Sequence, residues 1–202
     1  MSLVVIGGHS RNVGKTSVVA GLIAALRERQ WTAVKITQYG HGVCSVNGES
    51  CGCAMDEHTW AITEERDAAG PSDTSRFLAA GARRSLWVRT KQGRLAEAMP
   101  DLRREIEGAT DVIMESNSVM RFLRPDLYLT VLDPATADFK ESAREFLDLA
   151  SAVLLHAPAA EAAPAWSAVS LKPVAGKPRF YITPPRYVPQ ELVEFVQEKL
   201  RG

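Results

Sequence analysis

The sequence predicts an α/β domain of three layers, a mostly parallel sheet flanked by helices on both faces. Three observations predict it. Short β-branched runs alternate with helical segments along most of the chain, and the runs are apolar almost throughout, as strands covered on both faces are. The first strand also passes through glycines directly into a helix. With 202 residues the chain is long enough for one sizeable core, and it reads as a single domain, 1–202, with one excursion at about 38–72. Its 24 basic and 24 acidic residues cancel, so a nucleic acid finds no general electrostatic attraction and is not an expected partner. Apolar residues at 46% and charged residues at 24% are globular proportions and exclude a disordered or fibrous chain.

Leu3 to Ile6 is the first strand, bounded by Gly7 and Gly8. It is far too short to span a bilayer and lacks the flank and cleavage site of a signal peptide, so a cytoplasmic location without membrane contact is expected. Lys15 to Arg29 has helical apolar spacing and a basic end that suits the helix dipole. Trp31 to Ile36 is the second strand. Between Thr37 and Ser72 the pattern dissolves into Gly, Ser, Cys and acidic residues, with a short helical possibility from His58 to Glu65. Asp73 to Ala82 then predicts a helix, Ser85 to Arg89 a strand, and Leu95 to Ile106 a helix interrupted or restarted at Pro100. Strands at Asp111–Met114, Leu127–Leu132, Ala152–Leu155 and Arg179–Ile182 follow, with helices at Phe139–Leu149 and Gln190–Leu200 and an Ala- and Pro-rich loop from Ala157 to Pro164.

The segment Gly8-His9-Ser10-Arg11-Asn12-Val13-Gly14-Lys15-Thr16 lies between the first strand and the first helix, the context in which a phosphate-binding loop operates. Small residues let consecutive backbone N–H groups converge on phosphate oxygens, and a helix N-terminus aims its partial positive charge at them. Gly8, Ser10, Arg11, Asn12, Val13, Gly14 and Ser17 are therefore expected around the phosphates of ATP or GTP. Lys15 reaches the terminal phosphates, and Thr16 places its hydroxyl on Mg2+. The strict Walker spacing puts glycine where His9 stands. His9 is either a phosphate or substrate contact or a tolerated loop residue.

A carboxylate completes such a magnesium site, and the strand Val112-Ile113-Met114 ends in Glu115. With Lys15, Glu115 is the expected catalytic residue. Lys35, at the carboxyl end of the second strand, can neutralise phosphate or an anionic substrate. Arg76 either binds an anion bidentately or forms a surface ion pair with Asp73. The guanine-reading Asn-Lys-x-Asp motif does not appear at Leu154-Leu155-His156-Ala157-Pro158, and the choice between GTP and ATP stays open.

On these residues the chain resembles the SIMIBI branch of P-loop NTPases, and within it the MobB proteins of molybdenum-cofactor maturation. The loop through Lys15-Thr16-Ser17, Lys35 and Thr37, Asp73-Thr74-Ser75-Arg76 with Ala80-Gly81-Ala82, and Glu115 carry the likeness over roughly the first 130 residues. The resemblance implies a slow NTPase that assists a pterin-cofactor enzyme, and a homodimer. The chain departs from MobB in having Ser116-Asn117-Ser118 after the glutamate, in having Gln38, Tyr39 and His41 where paired histidines stand, and in its cysteine-bearing insertion. The register of Gly8 to Gly14-Lys15-Thr16 is also similar to dethiobiotin synthetase and the cobyrinate-amidating enzymes, which implies an ATP-dependent ligase instead. A nucleotide- or metal-binding regulator without turnover is the third class.

Cys44, Cys51 and Cys53 are the chain's only cysteines and stand close together where no core packing is expected. In a reducing compartment they are thiols or metal ligands rather than disulfides. With His41 or His58 they form a candidate Cys₃His set for Zn2+ or an iron–sulfur cluster. Free thiols in a loop, or a redox pair at Cys51 and Cys53, are the alternatives.

Overall fold

The computed structural model describes residues 1–40, 59–157, 164–166 and 169–201. Eight strands, β1 (Ser2–Gly8), β2 (Thr32–Tyr39), β3 (Trp60–Glu64), β4 (Arg84–Lys91), β5 (Asp111–Glu115), β6 (Leu127–Leu132), β7 (Ala152–His156) and β8 (Arg179–Ile182), form one sheet in the order β3-β4-β2-β5-β1-β6-β7-β8. Every neighbouring pair is parallel except β3 with β4. Helices α1 (Lys15–Ala25), α2 (Asp73–Ala80) and α5 (Gln190–Lys199) supply Val18, Leu22, Phe77, Leu192 and Val196 to the core on one face. On the other face α3 (Leu95–Ile106) packs Leu95, Met99 and Leu102 with Phe146, Leu147 and Trp166. These two apolar layers make the three-layer α/β architecture, and β1 lies near the middle of the sheet between β5 and β6, with β2 on the far side of β5.

Five elements differ from the sequence reading. The first is β2, which runs past Ile36 to Tyr39 because it pairs with β4 along its whole length, so that Lys35 stands inside the strand and not at its carboxyl end. His58 to Glu65 holds no helix among its described residues: Trp60–Glu64 is the antiparallel edge strand β3, with Trp60 and Ile62 packed on the core behind β4. Five residues with two inward apolar side chains cannot bury a helical stripe, but alternation suits an edge. The excursion at 38–72 therefore returns to the sheet before α2. The Phe139–Leu149 helix shrinks to α4 (Glu141–Glu145) and a single tight turn at Leu147–Leu149. Phe139 packs against His9 and Trp166, and the Lys140 N–H donates to the His9 carbonyl, which commits both residues to the phosphate loop. Helix α1 stops at Ala25 and is followed by a 3₁₀ turn, Arg27–Arg29, rather than continuing to Arg29.

Helix α3 passes through Pro100 without interruption. The proline forfeits one intrahelical bond, and the burial of Leu95, Ala98, Met99, Leu102 and Ile106 along one face offsets it. No helix among the described residues is long and apolar enough to cross a membrane.

Candidate functional site

The loop between β1 and α1 adopts its conformation for local reasons. Asn12 (φ 57°) and Gly14 (φ 89°) are both left-handed, and such paired turns point successive N–H groups to one side. Gly14 caps α1 without any side-chain hydrogen bond, so the first-turn N–H groups of the helix are left for a ligand. A side chain at Gly14 would also collide with the ring of Tyr187, which lies against the loop. Val13 is buried and its carbonyl is 3.0 Å from His156 Nε2. Gly8 is needed for a different reason: a Cβ there would come within 3.1 Å of the Lys15 stem, which crosses it. Lys15 then bends over the loop and donates to the Ser10 carbonyl at 2.5 Å. Ser10 is buried, and Arg11 points to solvent.

His9 is neither a ligand for phosphate nor a merely tolerated residue. It is fully buried, its ring lies 4.6 Å from that of Trp166 and 5.1 Å from that of Phe139, and both of its nitrogens are used. The Asp133 N–H donates to Nε2 at 3.0 Å, so the proton sits on Nδ1 and is donated to the Asp138 carbonyl at 2.7 Å. Burial holds its pKa below the usual value and keeps the ring neutral. Ser10 Oγ adds a bond to Asp138 at 2.6 Å. The segment after β6 thus latches the loop from outside, where the common motif has only a glycine. His9→Ala is expected to lower unfolding free energy by about 2–4 kcal/mol in urea titrations, from lost packing and two stranded polar groups. A loss near zero would show that the latch is not structural.

Opposite the loop, Glu115 at the end of β5 is 4% exposed and gathers the site's donors. Thr16 Oγ1 donates to its Oε2 at 2.7 Å, and Lys35 Nζ to its Oε1 at 2.6 Å. Lys35 and Glu115 are register partners on β2 and β5, so the sheet itself aligns them. Lys35 also reaches Asp73 Oδ2 at 2.8 Å and Thr16 Oγ1 at 3.4 Å. Burial alone would lower the pKa of Lys35, but the two carboxylates overcome it and raise it. Among the described residues Lys15 has no such partner within bonding distance, and burial pushes it down to about 8 although Glu115 opposes the shift.

In the sequence Asp73 stands in the Asp73-Thr74-Ser75-Arg76 motif and as a partner for Arg76, with no sign of a link to Lys35. In the fold that pair is 3.7 Å apart, while Arg76 Nη2 donates to Ser17 Oγ at 3.1 Å and Asp73 turns to Lys35. Asp73 starts α2, and Ser72 caps that helix by accepting the Ser75 N–H. Glu65 braces the cap, accepting the Arg66 and Asp67 N–H groups and the Ser72 and Thr74 hydroxyls, which together hold it down to about 2. Asn117, whose role the sequence left open, clasps Gly8 through its N–H and carbonyl, both at 2.9 Å.

The donor set of Thr16, Glu115 and Asp73 is entirely oxygen, which fits Mg2+; that ion takes one or two carboxylates and completes its shell with water and phosphate. These oxygens already surround a cation, the Lys35 ammonium. No cluster of three or more His, Cys, Asp or Glu suited to a metal occurs among the described residues. His41, Cys44, Cys51 and Cys53 lie outside the described residues, as does His58.

No protein-family profile and no curated protein matches the sequence. Solved structures do match it. LpxK from Aquifex aeolicus, in an "apo" form in complex with ATP, aligns with 90% of this chain at TM-score 0.50 and 18% identity. This chain spans only 53% of that one. HypB from Helicobacter pylori in complex with nickel aligns with 100% of this chain and 87% of its own length, at TM-score 0.51 and 15% identity. The fold is that of a P-loop NTPase.

Proposed function

We propose that this chain binds a magnesium nucleoside triphosphate and turns it over slowly in the service of a second component. The observation that carries the reading is the meeting of Lys15, Thr16, Lys35, Asp73 and Glu115 at the mouth of an uncapped helix N-terminus. On binding, Lys15 leaves the Ser10 carbonyl for the phosphates, and the loop N–H groups receive their oxygens. Thr16, Glu115 and Asp73 would hold Mg2+, and the ion would supply neutralisation of the phosphate charge. Lys35, released from Glu115, faces the γ-phosphate. Water attacks the γ-phosphorus, the bond to the bridging oxygen breaks, and the nucleoside diphosphate departs while the water's proton passes to the phosphate product.

The MobB resemblance supports a role in molybdenum-cofactor maturation in the cytoplasm, as a homodimer assisting a pterin-cofactor enzyme. The dethiobiotin synthetase register supports the second reading, an ATP-dependent ligase acting on a small carboxylate. Calorimetry with Mg-ATP and Mg-GTP, followed by phosphate release with and without pterin nucleotides or small carboxylic acids, tests all of these. Absence of binding to either nucleotide ends the proposal, and binding without turnover under any condition leaves a nucleotide-dependent regulator.

The depressed pKa of Lys15 has a measurable consequence. In the free protein Lys15 is charged below about pH 8 and loses its proton above it. Phosphate binding favours the charged form, so affinity is expected to be flat below pH 7 and to fall by up to about tenfold per pH unit above pH 8. Calorimetry at pH 8.5 in two buffers of different ionisation enthalpy should then report proton uptake. No uptake would mean that Lys15 is already charged in the free loop.

A further inference from the structure

The face of the sheet that carries Lys35 continues sideways into residues for which the nucleotide has no use. Glu115, Lys35, Trp87 and Thr63 are successive register partners across β5, β2, β4 and β3, and Thr37, Arg89 and Ala61 form the next row toward the carboxyl ends. Neighbouring strands are about 4.8 Å apart and alternate residues about 7 Å, which puts Trp87 one strand from Lys35 and Arg89 one step beyond. Helix α2 meets this face at Ser85, whose hydroxyl donates to the Thr74 carbonyl. Beyond that point the half-buried Arg89 guanidinium lies 4.8 Å over the Trp87 ring. Its Nε is buried and has no hydrogen-bond partner among the described residues. Trp87 Nε1 donates to Thr37 Oγ1 at 3.0 Å, which orients that hydroxyl and leaves its proton for a second bond.

A buried guanidinium N–H without an acceptor is unfavourable in a finished core, and native structures rarely retain one. Stacking on an aromatic ring fixes the guanidinium plane but supplies no acceptor. What is missing beside Arg89 and Thr37 is an oxygen carrying negative charge. The geometry points to a subsite for the carboxylate or phosphate group of a small second substrate, seated on Trp87, Arg89 and Thr37 beside Lys35. A ligand there lies at the carboxyl edge of the sheet, where open α/β folds take their ligands. Its placement next to a γ-phosphate rests on the nucleotide reading above, whereas the anion seat rests on Arg89 and Trp87 alone.

The test is titration of succinate and, separately, of inorganic phosphate at fixed ionic strength, followed by tryptophan fluorescence, on wild type, Arg89→Met and Lys15→Ala. At least one anion is expected to bind wild type and Lys15→Ala alike, and Arg89→Met to weaken it by about tenfold or more. Which anion binds distinguishes a carboxylate ligand from a phosphate ligand. Arg89→Lys, which keeps the charge over Trp87, is expected to recover part of the affinity with an unchanged circular-dichroism spectrum. Three results would overturn the subsite: no binding of either anion to wild type, binding lost in Lys15→Ala but kept in Arg89→Met, or no recovery in Arg89→Lys. Calorimetry of Mg-nucleotide binding on the same wild-type protein tests the nucleotide reading separately. Its failure would leave a positive anion titration standing.

Discussion

Lys15→Ala is expected to weaken magnesium-nucleotide binding by about a hundredfold or more, roughly 3 kcal/mol, while leaving the protein folded. The size follows from what the ammonium does on each side of the equilibrium. In the free protein it donates to the Ser10 carbonyl and is held at a depressed pKa by burial. On a triphosphate it would exchange that neutral acceptor for charged oxygens, and charge-assisted bonds are the stronger kind. Because the free state holds Lys15 under strain from desolvation, its removal should not reduce unfolding free energy in the absence of ligand. Calorimetry and a thermal melt on the same preparation decide the matter. Unaltered nucleotide affinity in a folded variant would show that the loop does not bind phosphate.

Glu115→Gln should do the complementary thing, sparing nucleotide binding but lowering hydrolysis by about a hundredfold and raising the magnesium concentration needed. The amide keeps the shape of the carboxylate and removes the charge that Lys35 and Thr16 converge on. Lys35 is not stranded by the change, since Asp73 remains 2.8 Å away, so the buried ammonium retains a counter-charge and the fold survives. Phosphate release as a function of magnesium concentration measures both effects. Turnover equal to wild type at every magnesium level would make Glu115 a structural partner of Lys35 and nothing more.

The parts of the site legible in the sequence are those whose cause is local. Gly14, Lys15 and Thr16 could be assigned because a strand, a loop and a helix contiguous in the chain dictate where their backbone and side chains go. Glu115 could be placed because it ends an apolar strand, whereas Lys35 stands inside β2, which runs on to Tyr39, and meets Glu115 through the strand register. Sequence spacing shows Asp73 its i,i+3 partner Arg76, an ion pair the fold contains at 3.7 Å, but cannot show a lysine 38 positions away (Lys35 to Asp73) on another element. His9 was ambiguous for the same reason. Its partners Asp133, Asp138 and Trp166 lie more than 120 residues downstream, and no local pattern announces them.

Periodicity and turn chemistry act over a few residues, and they suffice for the alternation of strands and helices, the strand-loop-helix unit around Gly8 to Thr16 and the position of Glu115 at the end of its strand. The tertiary structure decided the strand order, the pairing of Trp60–Glu64 with β4, the shortening of Phe139–Leu149 and the company that Lys35, His9 and Arg89 keep. Those outcomes depend on which surfaces of distant segments bury each other. Residue spacing carries no information about that until the sheet has brought β2, β4 and β5 side by side.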